Sequence, residues 1–97
     1  MDLPLQITFR DLESSPVLAD VIKQRAAKLS RFHEHITNCR VVVEAKPRHR
    51  FGVHLELSIP GGEIVVSHEP DETDAYVAVR EAFEAARRQL DENAQRP

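Results

Sequence analysis

Phe51-Gly52-Val53-His54-Leu55-Glu56-Leu57-Ser58-Ile59, followed by Pro60-Gly61-Gly62-Glu63, is the stretch that decides the fold. Phe51, Val53, Leu55, Leu57 and Ile59 point one way, and Gly52, His54, Glu56 and Ser58 point the other, the period-two pattern of a strand with one buried face. Pro60-Gly61-Gly62-Glu63 reads as a tight hairpin turn, because glycine reaches positive φ at little steric cost. Residues 64–69 therefore return as a further strand. Upstream, Cys39, Val41, Val43 and Ala45 alternate with Arg40, Val42, Glu44 and Lys46, and the polar break Pro47-Arg48-His49-Arg50 joins this strand to the next. Further out, Leu3, Leu5, Ile7 and Phe9 alternate with Pro4, Gln6, Thr8 and Arg10.

Two segments carry the other periodicity. Ser14-Ser15-Pro16 starts a helix, since a serine hydroxyl caps orphan amides and proline suits the first helical position. Leu18, Ile22, Ala26 and Leu29 then form an apolar stripe with Val21 and Phe32 beside it, ending near residues 32–33. Pro70-Asp71-Glu72-Thr73-Asp74 holds capping residues and acids suited to a second helix start. Tyr76, Val79, Phe83, Ala86 and Leu90 follow at 3,4,3,4 spacing, with Tyr76 expected as a core ring whose hydroxyl reaches the edge. The order β-α-β-β-β-α, with one apolar face per element, predicts an α+β fold: one four-stranded mixed sheet with two helices packed on one face. A right-handed crossover makes the first two strands parallel. The opposite sheet face, with Gln6, Thr8, Arg40, Glu44, His54, Glu56 and Ser58, is left for solvent or a partner.

A chain of 97 residues makes one domain, expected over 1–93 with a flexible tail at 94–97. It is mildly acidic at −3, yet residues 23–50 carry eight cations against two acids, a net of +6. Residues 1–22 hold −3 and residues 51–97 hold −6. His33, His35 and His49 also fall in the basic block. Charge alone leaves two readings open: a surface that attracts a polyanion, nucleic acid first, or a solvated surface whose charges cluster. No apolar run approaches a membrane span, and the first residues lack a signal-peptide layout. The single Cys39 fits a reducing cytosol and reads as a small buried apolar residue, not a nucleophile.

Phosphate neutralisation needs cations on one surface. Lys23, Arg25, Lys28 and Arg31 lie along the first helix, with Arg25 and Lys28 one turn apart on its flank and Arg31 rotated toward solvent. Lys46, Arg48 and Arg50 flank the second break as a mobile basic finger, and Arg80, Arg87 and Arg88 lie on the second helix. These ten are the candidate RNA-binding residues. Phe9, Phe32, Phe51, Tyr76 and Phe83 are the only aromatics and fall mostly on buried stripes, which disfavours binding by base stacking and favours backbone recognition of structured RNA. His33-x-His35 lacks further ligands at metal spacing, and 69–74 lacks the EF-hand pattern. No catalytic residue, metal or cofactor is expected.

The second helix carries a resemblance. Asp74-Ala75-Tyr76-Val77-Ala78-Val79 with Arg88-Gln89-Leu90 resembles a signature of the ribosome hibernation-promoting factors, also called ribosome-associated inhibitor A or protein Y. Arg25-x-x-Lys28-Leu29, His35-Ile36-Thr37-Asn38 and Ile59-Pro60-Gly61-Gly62-Glu63-Ile64 resemble three more of its segments, in order over residues 3–92. The chain is expected to be cytoplasmic and monomeric, and the resemblance implies a factor on the small ribosomal subunit. There it would occupy the decoding region of 16S rRNA and block translation in starved cells, with no DNA and no membrane involved. Contacts carried over by position are Arg25, Lys28 and Arg88, with Arg31 at a usually basic place. An older name of this family, sigma-54 modulator, implies an alternative: a protein-interaction module acting on a regulator. Asp91-Glu92-Asn93 stands where the family has a lysine-rich end, Ala85 where a lysine is common, and Arg80 where an acid is usual. Losing such cations is expected to weaken phosphate binding by about one to two orders of magnitude. Without the dimerisation domain of longer relatives, this chain is not expected to pair ribosomes by itself.

Overall fold

The computed structural model describes residues 3–68 and 74–94. The elements are β1 (Leu5–Arg10), α1 (Pro16–Phe32), β2 (Asn38–Lys46), β3 (Arg50–Ile59), β4 (Gly62–His68) and α2 (Ala75–Ala94). The strands lie side by side in the order β1-β2-β3-β4. β1 runs parallel to β2 with Ile7 opposite Val41, while β2–β3 and β3–β4 are antiparallel with Val43 opposite Val53 and Leu55 opposite Val66. This is the expected α+β architecture.

One register places Cys39, Val41, Val43, Val53, Leu55, Leu57, Ile64 and Val66 on the same face, where they pack with Leu18, Ile22, Ala26 and Leu29 of α1 and with Val79, Phe83, Ala86 and Leu90 of α2. α2 lies over β3 and β4; α1 packs against α2 and β1. Ser15 caps α1 as expected, its Oγ accepting from the Leu18 amide at 3.2 Å, with Pro16 in the first turn. The helix stops at Phe32, where the His33 amide donates to the Leu29 carbonyl at 2.9 Å. Asp74 caps α2: its Oδ1 accepts from the Tyr76 amide at 2.9 Å and its carbonyl from the Ala78 amide at 3.1 Å. The remaining expected cap residues, 70–73, and the end of the fourth strand at Glu69 lie outside the described residues.

The β3–β4 hairpin closes on Pro60-Gly61, and Gly61 at φ +86° supplies the conformation that a type II turn demands after proline. Nothing lies within 4 Å of a Cβ placed there, so the backbone and not crowding selects glycine. The 47–49 break is a single tight turn. Arg48 and His49 both hold positive φ (65° and 58°), and Arg50 Nε braces it by donating to the Pro47 carbonyl at 3.4 Å.

Several details depart from expectation. β1 begins at Leu5, with Leu3 still packed against the core, and β4 begins at Gly62, not at Ile64. Tyr76 is not a core ring but 43% exposed. The buried arc of α2 takes in Val79, Phe83, Ala86 and Leu90 of the expected stripe together with Ala78 and Ala82, and Tyr76 in the first turn lies at its margin. Phe32 is likewise 60% exposed, outside the buried stripe of α1. α2 continues through Ala94, the first residue of the expected tail; residues 95–97 lie outside the described set.

Candidate nucleic-acid interface

Both helices start near the β2–β3 turn and run away from it. β1 ends opposite Glu44 and β4 ends opposite Val53, close to that turn. At the other end, His33, Leu90 and the hairpin residues Ile59 and Pro60 line one cavity. The two helices are therefore side by side and roughly parallel, and their facing flanks form a groove. Arg25, Lys28 and Phe32 recur on one flank of α1, two turns from first to last. Phe83, Glu84 and Arg87 come from α2. Together with Leu29 they enclose about 150 Å³.

The groove is cationic with an apolar floor. The Arg87 guanidinium stands 5.1 Å over the centre of the Phe32 ring, a cation–π arrangement. Arg25 Nε is buried and has no hydrogen-bond partner among the described residues. Glu84, the one carboxylate in the groove, is 4.0 Å from Arg80 one turn earlier on α2. Arg80 thus offsets the carboxylate and leaves Arg25, Lys28 and Arg87 the dominant field. Arg31 and Arg88 are exposed on the outer faces of their helices, flanking the groove.

The remaining sequence candidates lie elsewhere. Lys23 is on the opposite flank of α1, over a groove lined by Leu5, Ile7 and Phe9 of the β1 edge. Lys46, Arg48 and Arg50 sit at the far end of β3, whose ten residues span about 30 Å from the hairpin end. Lys46 Nζ is 3.1 Å from Glu44 on the open sheet face, and Arg10 approaches the same carboxylate at 3.5 Å. The hydrogen bond from Lys46, with the charges of Lys46 and Arg10, holds the Glu44 carboxyl below the usual range. Across the same face, His54 bonds Ser67 Oγ at 2.9 Å and Glu56 at 3.0 Å, and Arg40 lies 3.8 Å from Glu56. Arg10, Arg40 and Lys46 are thus matched by acids on their own face. The structure thus brings Arg25, Lys28 and Arg87 together, with Arg31 and Arg88 beside them, and keeps the 46–50 turn and Lys23 apart.

Sequence reasoning overlooked Phe32. At 100° per residue it falls within about 20° of Arg25 on the α1 wheel, a signal that was present but outweighed by its apolar character. It also overlooked two links that fix α2: His33 Nε2 to Asp91 at 3.0 Å and His68 Nε2 to Glu81 at 2.6 Å. Asp91, one of the acids replacing a lysine-rich end, thereby ties α2 to the end of α1. Burial pushes the Cys39 thiol up to about 12, so it is not a nucleophile. Among the described residues no group of three or more His, Cys, Asp or Glu side chains could hold a metal, and no helix is long and apolar enough to cross a membrane.

Known proteins resemble this one in fold and, more distantly, in sequence. A ribosomal subunit interface protein from Coxiella burnetii superposes with a TM-score of 0.84 over 97% of this chain and 100% of its own, at 18% identity. The N-terminal domain of Thermus thermophilus protein Y gives 0.77 over 96% of this chain and 99% of its own, at 22% identity. The chain is 26% identical to a ribosome hibernation promotion factor of Deinococcus radiodurans over 88% of its length, but spans only 46% of that protein. It is 27% identical to ribosome-associated factor Y of Haemophilus influenzae, over 91% of this chain and 79% of that one. The family model described as sigma 54 modulation protein / S30EA ribosomal protein matches residues 5–97. With that match over nearly the whole chain, the protein belongs to the sigma 54 modulation / S30EA ribosomal protein family.

Proposed function

We propose that this chain is a non-enzymatic, cytoplasmic ribosome-hibernation factor. It binds the small ribosomal subunit as a monomer, in the decoding region of 16S rRNA, and inhibits translation by occupying the path of tRNA and mRNA. The observation that carries this reading is the α1–α2 groove, where Arg25, Lys28 and Arg87 face one another with their single carboxylate offset by Arg80. Phosphate contacts there supply affinity, and the rigid sheet-and-helix body supplies the obstruction. Arg31 and Arg88 extend the contact outward, and the 46–50 turn is a secondary contact at the other end. Family membership and the names of the relatives support the partner.

Sedimentation with purified 30S subunits tests it. The protein is expected to co-migrate at low salt and to lose this when Arg25, Lys28 and Arg87 are changed together to glutamate; absence of co-migration by the wild type sinks the proposal. The second reading, a module that modulates a regulator such as a sigma factor, draws on the family's own description and on the −6 charge of residues 51–97. A pull-down recovering such a regulator without ribosomal components would favour it.

A further inference from the structure

We infer that Phe32 and Arg87 form a stacking platform for one unpaired RNA base, with Arg25 and Lys28 receiving the phosphates beside it. This rests on the ribosome-binding reading and adds the class of ligand taken by the groove: a single-stranded nucleotide, not a duplex backbone.

Several observations converge. Phe32 leaves 60% of its surface in water at the last turn of α1, although it is among the largest apolar side chains present. The Arg87 guanidinium covers the ring from the α2 side at 5.1 Å, which orients the aromatic plane and leaves a base the other face. A base on that face lies in a three-layer stack of base, ring and guanidinium, the arrangement by which splayed-out RNA bases are held. Arg25 lines the same groove, and a phosphate oxygen of the same nucleotide strand is an acceptor of suitable charge for its guanidinium. Lys28 precedes Phe32 by four residues, about 6 Å along the helix axis, so a base at the ring puts a neighbouring phosphate near the ammonium. The groove beside the ring holds about 150 Å³, too little for a helix or strand of another protein. Its three cations against one carboxylate select a polyanion.

The chain contains no tryptophan, so Phe32→Trp introduces a single selective fluorophore that keeps the platform. Its emission is read during titration with purified 30S subunits, a single-stranded adenine-rich RNA oligonucleotide, an RNA duplex and poly-glutamate. The expected result is quenching by the 30S subunit and the single strand, and little response to the duplex or poly-glutamate. Phe32→Ala and Phe32→Leu are each expected to weaken single-strand and 30S binding by about 5- to 150-fold, with the slope against salt unchanged. Leucine restores bulk without a π face, so equal losses identify stacking. Because the ring is exposed, both variants should keep the wild-type urea midpoint. If the wild type binds 30S subunits while the emission is unmoved and both variants bind normally, stacking is overturned and ribosome binding stands. If single-stranded RNA quenches but the wild type ignores 30S subunits, stacking stands and the ribosome reading fails. Equal quenching by poly-glutamate or duplex overturns the assignment of the ligand.

Discussion

Cys39 lies fully inside the core, near the start of β2 on the face that the helices cover, and burial raises its pKa from 9.0 to about 12. Below pH 9 the folded and unfolded chains both keep the proton. Between pH 9 and 12 only the unfolded chain releases it, so the stability from this group is present below pH 9 and falls as pH rises through that window. Urea midpoints measured from pH 8 to pH 10.5 should therefore drop more steeply for the wild type than for Cys39→Val; equal slopes would contradict the assignment. The buried character of this residue was legible in its strand position. Phe32 was not, because its hydrophobicity argued for the core while its place on the helix wheel put it with Arg25. Orientation prevailed: α1 ends at Phe32, where the covering flank of α2 presents Arg87 and not an apolar side chain.

α1 depends on its start. It has no acidic residue in the first turn to meet the helix dipole, so the Ser15 hydroxyl is the main side-chain partner of its exposed amides. Ser15→Ala should cost about 1 kcal/mol in urea unfolding and leave 30S binding intact. The cap is at the opposite end of the helix from Phe32, so a loss of binding at unchanged stability would refute that separation. Helix boundaries were readable because Ser-Pro and His33 mark them locally. The facing of α2 was readable as well: Val79, Phe83, Ala86 and Leu90 of the expected stripe are buried, Ala78 and Ala82 join them against β3 and β4, and Tyr76 alone is left at the margin. His33–Asp91 and His68–Glu81 join residues far apart in the chain, and no local pattern announces such pairs.

Over the whole molecule, the basic middle of the sequence does not become one basic face. Arg25 and Lys28 meet Arg87 from the acidic final third, whereas Lys46, Arg48 and Arg50, neighbours in sequence, sit at the far end of the sheet. Lys46 is engaged with Glu44, and Arg50 with the Pro47 carbonyl. Changing Arg25, Lys28 and Arg87 to alanine should flatten the slope of log affinity against log salt by about two, and changing Lys46, Arg48 and Arg50 by less than half as much. A salt series on 30S binding checks this; equal effects would move the main contact away from the helix groove. The amino-acid order alone determined the fold class, the buried face of each strand and the ends of α1, because alternation, turn glycine and caps act over a few residues. Only the tertiary structure decided which cations share a surface and which carry their own acid. It also decided that an aromatic ring stands uncovered among them. Those outcomes depend on how elements distant in the chain are laid beside each other, and electrostatic and stacking energies fall off within ångströms in space, whatever the separation in sequence.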